Sequence, residues 1–149
     1  MILAVLVWAI LGTFVAGYYF VQFDIYHREY NNLADQFNSI SLKVNILLDY
    51  GNGTRVWYNN TVLPLGSTAF NATCSIADVD KEDWGGDLGI LVTSINGVAN
   101  DGPYGWCYWY RDSGNLEWTS LQYSCAKHIL HEGDMIAITY DSWPPQPPT

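Results

Sequence analysis

The sequence has few basic residues and a small share of charged residues. It contains 6 Lys and Arg against 15 Asp and Glu, which gives a formal net charge of −9 over 149 residues. A chain with so few cations has no basic patch to neutralise phosphate groups, so we expect no nucleic-acid partner. Charged residues make up 14% and hydrophobic residues 49% of the chain, a balance that predicts a folded core rather than disorder.

Sequence motifs of catalysis and metal binding are also absent. There is no G-x-S-x-G nucleophile motif, and the acidic residues are scattered without a pair suited to glycoside hydrolysis. His128 and His131 are three residues apart near a predicted strand, where their side chains point to opposite faces. An acidic loop lacks the spacing of a calcium-binding EF-hand, and its acids are Asp78, Asp80, Glu82, Asp83 and Asp87. We therefore expect a non-enzymatic protein with no catalytic residue, metal site or cofactor.

No charged side chain occurs from Met1 to Phe23. As a helix, this segment would reach roughly 35 Å, enough to cross a bilayer. It begins apolar and is longer than the hydrophobic part of a cleavable signal peptide, which favours a permanent anchor. The sequence therefore predicts a transmembrane helix over residues 1–23, with membrane lipid as a partner.

A stripe of apolar residues follows the predicted anchor at helical spacing. The intervals are four, three, four and three, as in a heptad repeat, and polar residues fill the other side. We call this stripe the stalk seam, and it consists of Tyr26, Tyr30, Leu33, Phe37 and Ile40. The pattern predicts an amphipathic stalk over residues 24–40, continuous with the anchor, whose seam packs either on its own globular domain or on neighbouring subunits.

Three N-glycosylation sequons occur within twenty residues, at Asn52, Asn59 and Asn71. Acceptor sites of this kind are used in exported proteins. Basic residues near the anchor are too few to set its orientation. The sequons therefore carry the prediction of a glycoprotein whose domain faces outside the cell.

The cysteine count is odd, so at most one intramolecular disulfide can form. The three cysteines are Cys74, Cys107 and Cys125. We expect the pair Cys107 and Cys125, and the alternative is three buried, reduced thiols.

Beyond the stalk, the hydrophobic pattern changes from helical to alternating. Strand patterns include "LKVNILLD", "TRVWY", "ILVTSI", the aromatic "YGWCYWY" and "MIAITYDSW", with "YGNG", "NG", "RDSGN" and "HEGD" as turns. A short helix begins after an N-cap at Ser67 or Thr68. This order predicts an α+β domain over residues 41–141, with an antiparallel-rich, β-grasp-like sheet and one packed helix. The proline-rich tail of residues 142–149 is expected to be extended.

The stretch "YGWCYWYRDSGNLEWTS" has five Trp and Tyr residues after its opening tyrosine. On a strand, Cys107 and Trp109 share one face and are assigned to the core. The opposite face would then expose aromatic rings as a docking face, made by Trp106, Tyr108 and Tyr110 and joined by Trp57 or Trp118. The alternative is that all these rings are internal packing.

Several segments together resemble a known family. They are "VNILLDYGNGT", "PLGSTAFNAT", "VTSINGV", "GWCYWYRD" and "LHEGDMIAITYD". The chain is similar over residues 42–141 to extracellular domains of unknown function that look like the C-terminal domain of transcobalamin and intrinsic factor. This resemblance implies a β-grasp-like fold, an exported and membrane-anchored protein of archaeal type, and a role in binding rather than chemistry. The vitamin-transport relatives bind cobalamin between this domain and a helical barrel that the sequence lacks, and no corrinoid-contacting residue is carried over.

Taken together, these patterns favour a non-catalytic, membrane-anchored accessory or structural subunit. It would dock to other subunits of a cell-surface assembly through the stalk seam and the aromatic face. A long apolar-then-amphipathic helix before a β-rich head also suits a pilin-like filament subunit. A third hypothesis is a module that binds a small molecule or a glycan.

Overall fold

The computed structural model describes residues 2–86 and 88–148, with side chains described outside residues 2–7, 9, 10 and 38. The chain divides into two compact units, Met1–Ile40 and Ser41–Thr149. We call the second unit the head. The described residues form two helices and eight strands: α1 (Ile2–Ile40), β1 (Ser41–Asp49), β2 (Arg55–Pro64), α2 (Ala69–Ile76), β3 (Val79–Asp83), β4 (Ile90–Ile95), β5 (Val98–Ala99), β6 (Tyr104–Arg111), β7 (Thr119–Ser120) and β8 (Met135–Ser142).

The first unit is a single uninterrupted helix of 39 residues, as the continuous apolar and amphipathic patterns predict. It contains no proline, and its polar half has an ion pair between Asp24 and Arg28 at 2.6 Å, one helical turn apart. Every side chain of the stalk seam is more than half exposed in the single chain.

Across the described residues, no helix combines the length and the hydropathy of a membrane span. Residues 1–7, 9 and 10 of the predicted transmembrane segment lie outside the residues whose side chains are described. That segment stays a prediction.

The main sheet of the head has five strands in the order β2-β1-β8-β6-β7. Its pairs are antiparallel except for β1 and β8, which run parallel, with Leu48 opposite Ile138. The "YGNG" turn joins β1 to β2 as predicted. The parallel pair was not predicted, and it brings the carboxyl ends of β1 and β8 to the same edge of the sheet.

A second sheet of three strands, in the order β3-β4-β5, corrects two expectations. We expected one sheet and an acidic loop from residue 78, but Val79–Asp83 pairs with β4 as a strand. The predicted Asn-Gly turn after β4 is present, with positive φ at Asn96 (50°) and Gly97 (79°), as a tight hairpin requires. Asp87 of the expected acidic loop lies outside the described residues.

Helix α2 begins where its capping residues predict. Thr68 is the N-cap, and its hydroxyl accepts from the Asn71 backbone N–H while the Asn71 side chain accepts from the Thr68 N–H. Ala69, Phe70 and Thr73 are buried on the inner face of this helix. Cys74 is exposed.

The main core lies between α2 and one face of the five-stranded sheet. Alternating residues of β1 and β8 point into it, and each fully buried Leu or Ile contributes about 1.5 to 3 kcal/mol. The largest of these side chains are 1% exposed or less: Leu42, Val44, Ile46, Leu48, Ile136 and Ile138. The head is therefore an α+β domain, as predicted.

Candidate functional site

The structure reverses the expected faces of the aromatic strand. Trp106 and Tyr108 belong to the main core, at 8% and 9% exposure. Their polar atoms are paired, because Trp106 Nε1 donates to the Val98 carbonyl at 2.8 Å and the Tyr108 hydroxyl lies 3.0 Å from Thr73 Oγ1. Burial of these rings therefore leaves no polar group unsatisfied. Neither ring is exposed at the surface, and a docking face would require exposed rings.

Trp109 lies on the second face of the sheet, in a small cluster with Leu47, Ala137 and Trp118. Its Nε1 donates to Thr139 Oγ1 at 3.1 Å, and the Arg111 guanidinium lies 4.8 Å from the Trp118 ring centre. Trp57 is opposite Leu47 in the ladder, so it shares this face and is 46% exposed. Of the predicted docking residues, Trp57 and Trp118 therefore both lie on the second face, and Trp106 and Tyr108 do not.

Tyr110 is half-buried, and its ring centre lies 4.5 Å from that of His128. His128 Nδ1 pairs with the Tyr123 hydroxyl at 2.9 Å, and burial lowers the pKa of this histidine. His131 instead turns toward Asp134 and lies outside that ring cluster. Within the described residues, no three His, Cys, Asp or Glu side chains converge as a metal site would require.

All three cysteines are free, so the expected pair of Cys107 and Cys125 is not formed. The reason is their placement. Cys107 alternates with Trp106 and Tyr108 and points to the second face of the sheet, whereas Cys125 is buried in the main core. Burial raises the pKa of the Cys125 thiol to about 11.

The three sequon asparagines are exposed, but their surroundings differ. Asn52 lies in the turn between β1 and β2, and Asn59 lies on the edge strand β2. Asn71 is part of the capping box of α2, and Thr73 of its sequon is fully buried.

A cleft lies at the end of the main sheet where the carboxyl ends of β1 and β8 meet. Its volume is about 720 Å³, within the range typical of small-molecule sites. The start of β2, the start of β6 and the tail complete its lining. We call this feature the sheet-end cleft.

Tyrosine rings form one wall of the sheet-end cleft. The Tyr104 and Tyr140 rings are nearly parallel, 17° apart in plane with centres 6.3 Å apart. The Tyr140 hydroxyl donates to the Ala99 carbonyl at 2.9 Å. The Trp106 ring packs edge-on against the Tyr140 ring, with the two ring centres 5.3 Å apart. Tyr50 is held through its hydroxyl, which accepts from Asn96 Nδ2 at 2.7 Å. These hydrogen bonds hold Tyr50 and Tyr140 in place, so that part of the wall is preorganised.

Charged groups of the cleft are paired within the protein. Asp49 is 7% exposed and accepts from Arg55 Nε at 2.6 Å and from the Gly51 N–H at 2.9 Å. Gly51 has a φ of +70°, and a Cβ there would overlap the Tyr140 carbonyl. Glycine is therefore required for the turn to lie against β8.

The proline-rich tail forms another part of the cleft lining. The two carboxylate oxygens of Asp141 accept from the N–H groups of Ser142 and Gln146, at 2.7 and 3.0 Å. The Trp143 N–H donates to the Pro103 carbonyl at 3.0 Å. These bonds place Gln146, Pro147 and Pro148 beside the tyrosine wall.

Sequence reasoning missed the sheet-end cleft entirely. Its residues come from both ends of the head, and they meet because β1 and β8 pair across the sheet. The one local signal was the cluster of turn residues in "YGNG", which we read only as a hairpin.

No protein-family model matches the chain, and no curated protein matches it. Solved structures do match about two thirds of the chain. A candidate metal-binding protein from Ruminococcus gnavus ATCC 29149 is 16% identical with a TM-score of 0.52, and the match covers 68% of this chain and 97% of that protein. Haptocorrin in complex with Cbi is 12% identical with a TM-score of 0.53, and the match covers 69% of this chain.

These likenesses concern the fold alone, because both identities are low. They support the transcobalamin-like fold that the sequence resemblance implied for the head. The matched region is 25% of haptocorrin, so this chain spans a quarter of the length of that protein.

Proposed function

We propose that the head is a non-catalytic binding module that takes a small molecule in the sheet-end cleft. The observation that carries this proposal is a cleft of about 720 Å³ in which two of the lining tyrosines, Tyr50 and Tyr140, are already held by hydrogen bonds within the protein. A preformed, ring-lined cleft with a few polar groups is the usual form of a small-molecule site. The structure of haptocorrin in complex with Cbi adds support, because a protein with a similar fold over part of its length binds a small molecule.

A blocking substitution at the mouth of the cleft tests this proposal. Asn52 is exposed and lines the cleft, whereas Asn59 is equally exposed on β2 and does not line it. Full-length protein in lipid nanodiscs would be screened by thermal shift against Cbi, metal ions and a panel of neutral and charged metabolites. We expect a ligand whose shift is lost in Asn52→Trp and kept in Asn59→Trp. No shift with any ligand, or equal loss in both variants, would overturn the proposal.

A second function rests on the stalk seam. All five seam residues are exposed in the single chain, and a heptad stripe of aromatic and aliphatic side chains is typical of helix association. We propose that a transmembrane helix over residues 1–23 holds the protein in a membrane, with the head outside the cell, and that the seam docks to other subunits. The head would then be an accessory part of a cell-surface assembly.

Native mass spectrometry of the full-length protein checks this second function. The single chain has a mass of 16.8 kDa, so any assembly is heavier. Leu33→Glu places a charge on the seam and should return the protein to a monomer, whereas Asn31→Glu on the other side of the helix should not. A wild-type monomer under the same conditions would refute seam docking. Filaments in electron micrographs that carry this chain would instead favour the pilin-like alternative.

As part of this second function, we also propose that the head has a β-grasp-like arrangement and belongs to the transcobalamin-like extracellular family. The same proposal includes an archaeal source and glycosylation at Asn52, Asn59 or Asn71. Intact-mass measurement of the native protein, before and after glycosidase treatment, tests the last of these.

A further inference from the structure

The tyrosine wall of the sheet-end cleft includes an aromatic ring that a ligand can reach. Tyr104 is 51% exposed, and its ring is nearly parallel to that of Tyr140. The face of an aromatic ring carries partial negative charge, so it attracts the weakly positive C–H groups of a flat ligand. A ligand with a C–H face and a polar edge fits this wall.

Planar polar groups lie around the same wall. The Asn52 amide accepts from the Thr54 N–H through Oδ1 at 2.9 Å, and its Nδ2 is the atom to which a glycan at this sequon would be attached. Each carboxylate oxygen of Asp141 accepts one backbone N–H and has a second lone pair for a ligand hydroxyl. Gln146 brings a further amide to the lining. Groups of this kind pair with neighbouring hydroxyls, each of which both donates and accepts.

The charge of the site selects against anions. Asp49 and Asp141 face the cleft together with Arg55, whose guanidinium is paired with Asp49 at 2.6 Å. The chain as a whole has a net charge of −9. A phosphorylated or carboxylate ligand would enter a negative field without a cation left to balance it. A neutral ligand meets no such opposition.

We propose that the sheet-end cleft binds a neutral saccharide, with one sugar ring packed on Tyr104, whose ring is stacked with that of Tyr140, and with its hydroxyl groups bound by Asp141 and Gln146. This inference rests on the proposed binding function of the cleft and names its ligand class. A pyranose has a C–H face and a rim of hydroxyl groups, which matches the wall and its polar surround.

Isothermal titration of the full-length protein with neutral oligosaccharides tests the proposal. The probes are tetramers of α- and β-linked glucose, mannose and N-acetylglucosamine, with tetragalacturonate as the anionic comparison. The protein is kept in nanodiscs or a sugar-free detergent, because maltoside and glucoside detergents would compete for the site. We expect at least one neutral tetramer to bind and tetragalacturonate not to bind.

Substitutions of Tyr104 locate the binding. Tyr104→Phe keeps the ring and should change the affinity less than threefold, whereas Tyr104→Ala removes the stacking surface and should weaken it at least tenfold. Tyr123→Ala is the control, since Tyr123 is equally exposed (52%) and lies outside the cleft.

The outcomes separate this inference from the broader function. If no saccharide binds, but Cbi or another metabolite does and Asn52→Trp blocks it, the saccharide class is wrong and the binding function stands. Saccharide binding that Tyr104→Ala leaves unchanged would overturn the proposed site. If nothing binds at all, both proposals fail.

Discussion

The hydroxyl groups of Thr73 and Tyr108 lie 3.0 Å apart in the core of the head and join α2 to β6. Thr73 Oγ1 also lies 2.8 Å from the Ala69 carbonyl, to which it donates its single proton. The Tyr108 hydroxyl must therefore be the donor to Thr73. This bond explains how a tyrosine of the aromatic strand is accommodated in an apolar core.

Removal of the Tyr108 hydroxyl and removal of the Thr73 hydroxyl should both destabilise the head, but by different amounts. Tyr108→Phe loses one bond and leaves Thr73 bound to Ala69, so we expect a loss of about 1 kcal/mol in the free energy of unfolding. Thr73→Val removes this acceptor and leaves the buried Tyr108 hydroxyl with only the weakly interacting Cys125 thiol as a partner, so it should cost about 1 to 3 kcal/mol. Urea unfolding of both single variants and the double variant measures the coupling. Additive losses would show that the two hydroxyls do not interact.

Alkaline pH should weaken the fold through the same part of the core. Burial raises the pKa of Cys125 from an ordinary 9.0 to about 11, and burial also raises that of Tyr108. Below pH 9 the thiol is protonated in both states. Between about pH 9 and 11 the unfolded state loses the proton first, so stability falls by up to about 1.4 kcal/mol per pH unit from this group.

Unfolding free energies measured from pH 7 to 11 check this loss. In Cys125→Ala the decline between pH 9 and 11 should be shallower, whatever the variant's stability at pH 7, because only Cys74, Cys107 and Tyr108 remain with pKa values that burial raises. If the free energy of unfolding declines from pH 9 identically in wild type and variant, the loss of stability is caused by groups other than Cys125.

The three thiols should react with iodoacetamide in the order of their exposure. Cys74 is exposed, Cys107 is half-buried and Cys125 is buried, and burial raises the pKa of all three. The thiolate is the reactive form, so Cys125 should be alkylated only after the head opens. Peptide mass spectrometry at successive times gives the order. A disulfide in protein denatured without reductant would contradict the free thiols.

The turn between β1 and β2 offers a matched pair of glycines. Both have positive φ, +70° at Gly51 and +89° at Gly53, but a Cβ at Gly51 would overlap the Tyr140 carbonyl whereas one at Gly53 meets nothing. Gly53→Ala should cost about 1 to 2 kcal/mol from backbone strain alone. Gly51→Ala should cost more and should also displace one side of the sheet-end cleft. Thermal unfolding of the two variants compares them, and equal losses would show that Gly51 is not packed against β8.

Much of the fold could be predicted because its signals are local. The capping residues around Thr68 mark the start of α2, the Asn96-Gly97 turn marks the end of β4, and the uninterrupted helical pattern predicts α1. Each depends on residues within a few positions of one another.

The site could not be predicted because it depends on pairing between distant segments. The parallel ladder of β1 and β8 joins residues about 90 positions apart, such as Leu48 and Ile138, and no local pattern encodes it. The prediction of which face of β6 points into the core was wrong for a different reason. Both faces of that strand carry large rings, so alternation separates Trp106 and Tyr108 from Trp109 without saying which set meets α2.

The measurement that tests the central claim most directly is hydrogen exchange of the full-length protein with and without its best ligand from the screens. If the sheet-end cleft is the binding site, backbone amides at residues 49–55 and 139–146 become protected on binding, while those of α1 and of the second sheet do not change. Protection confined to residues 24–40, or absent everywhere at saturating ligand, would contradict the account.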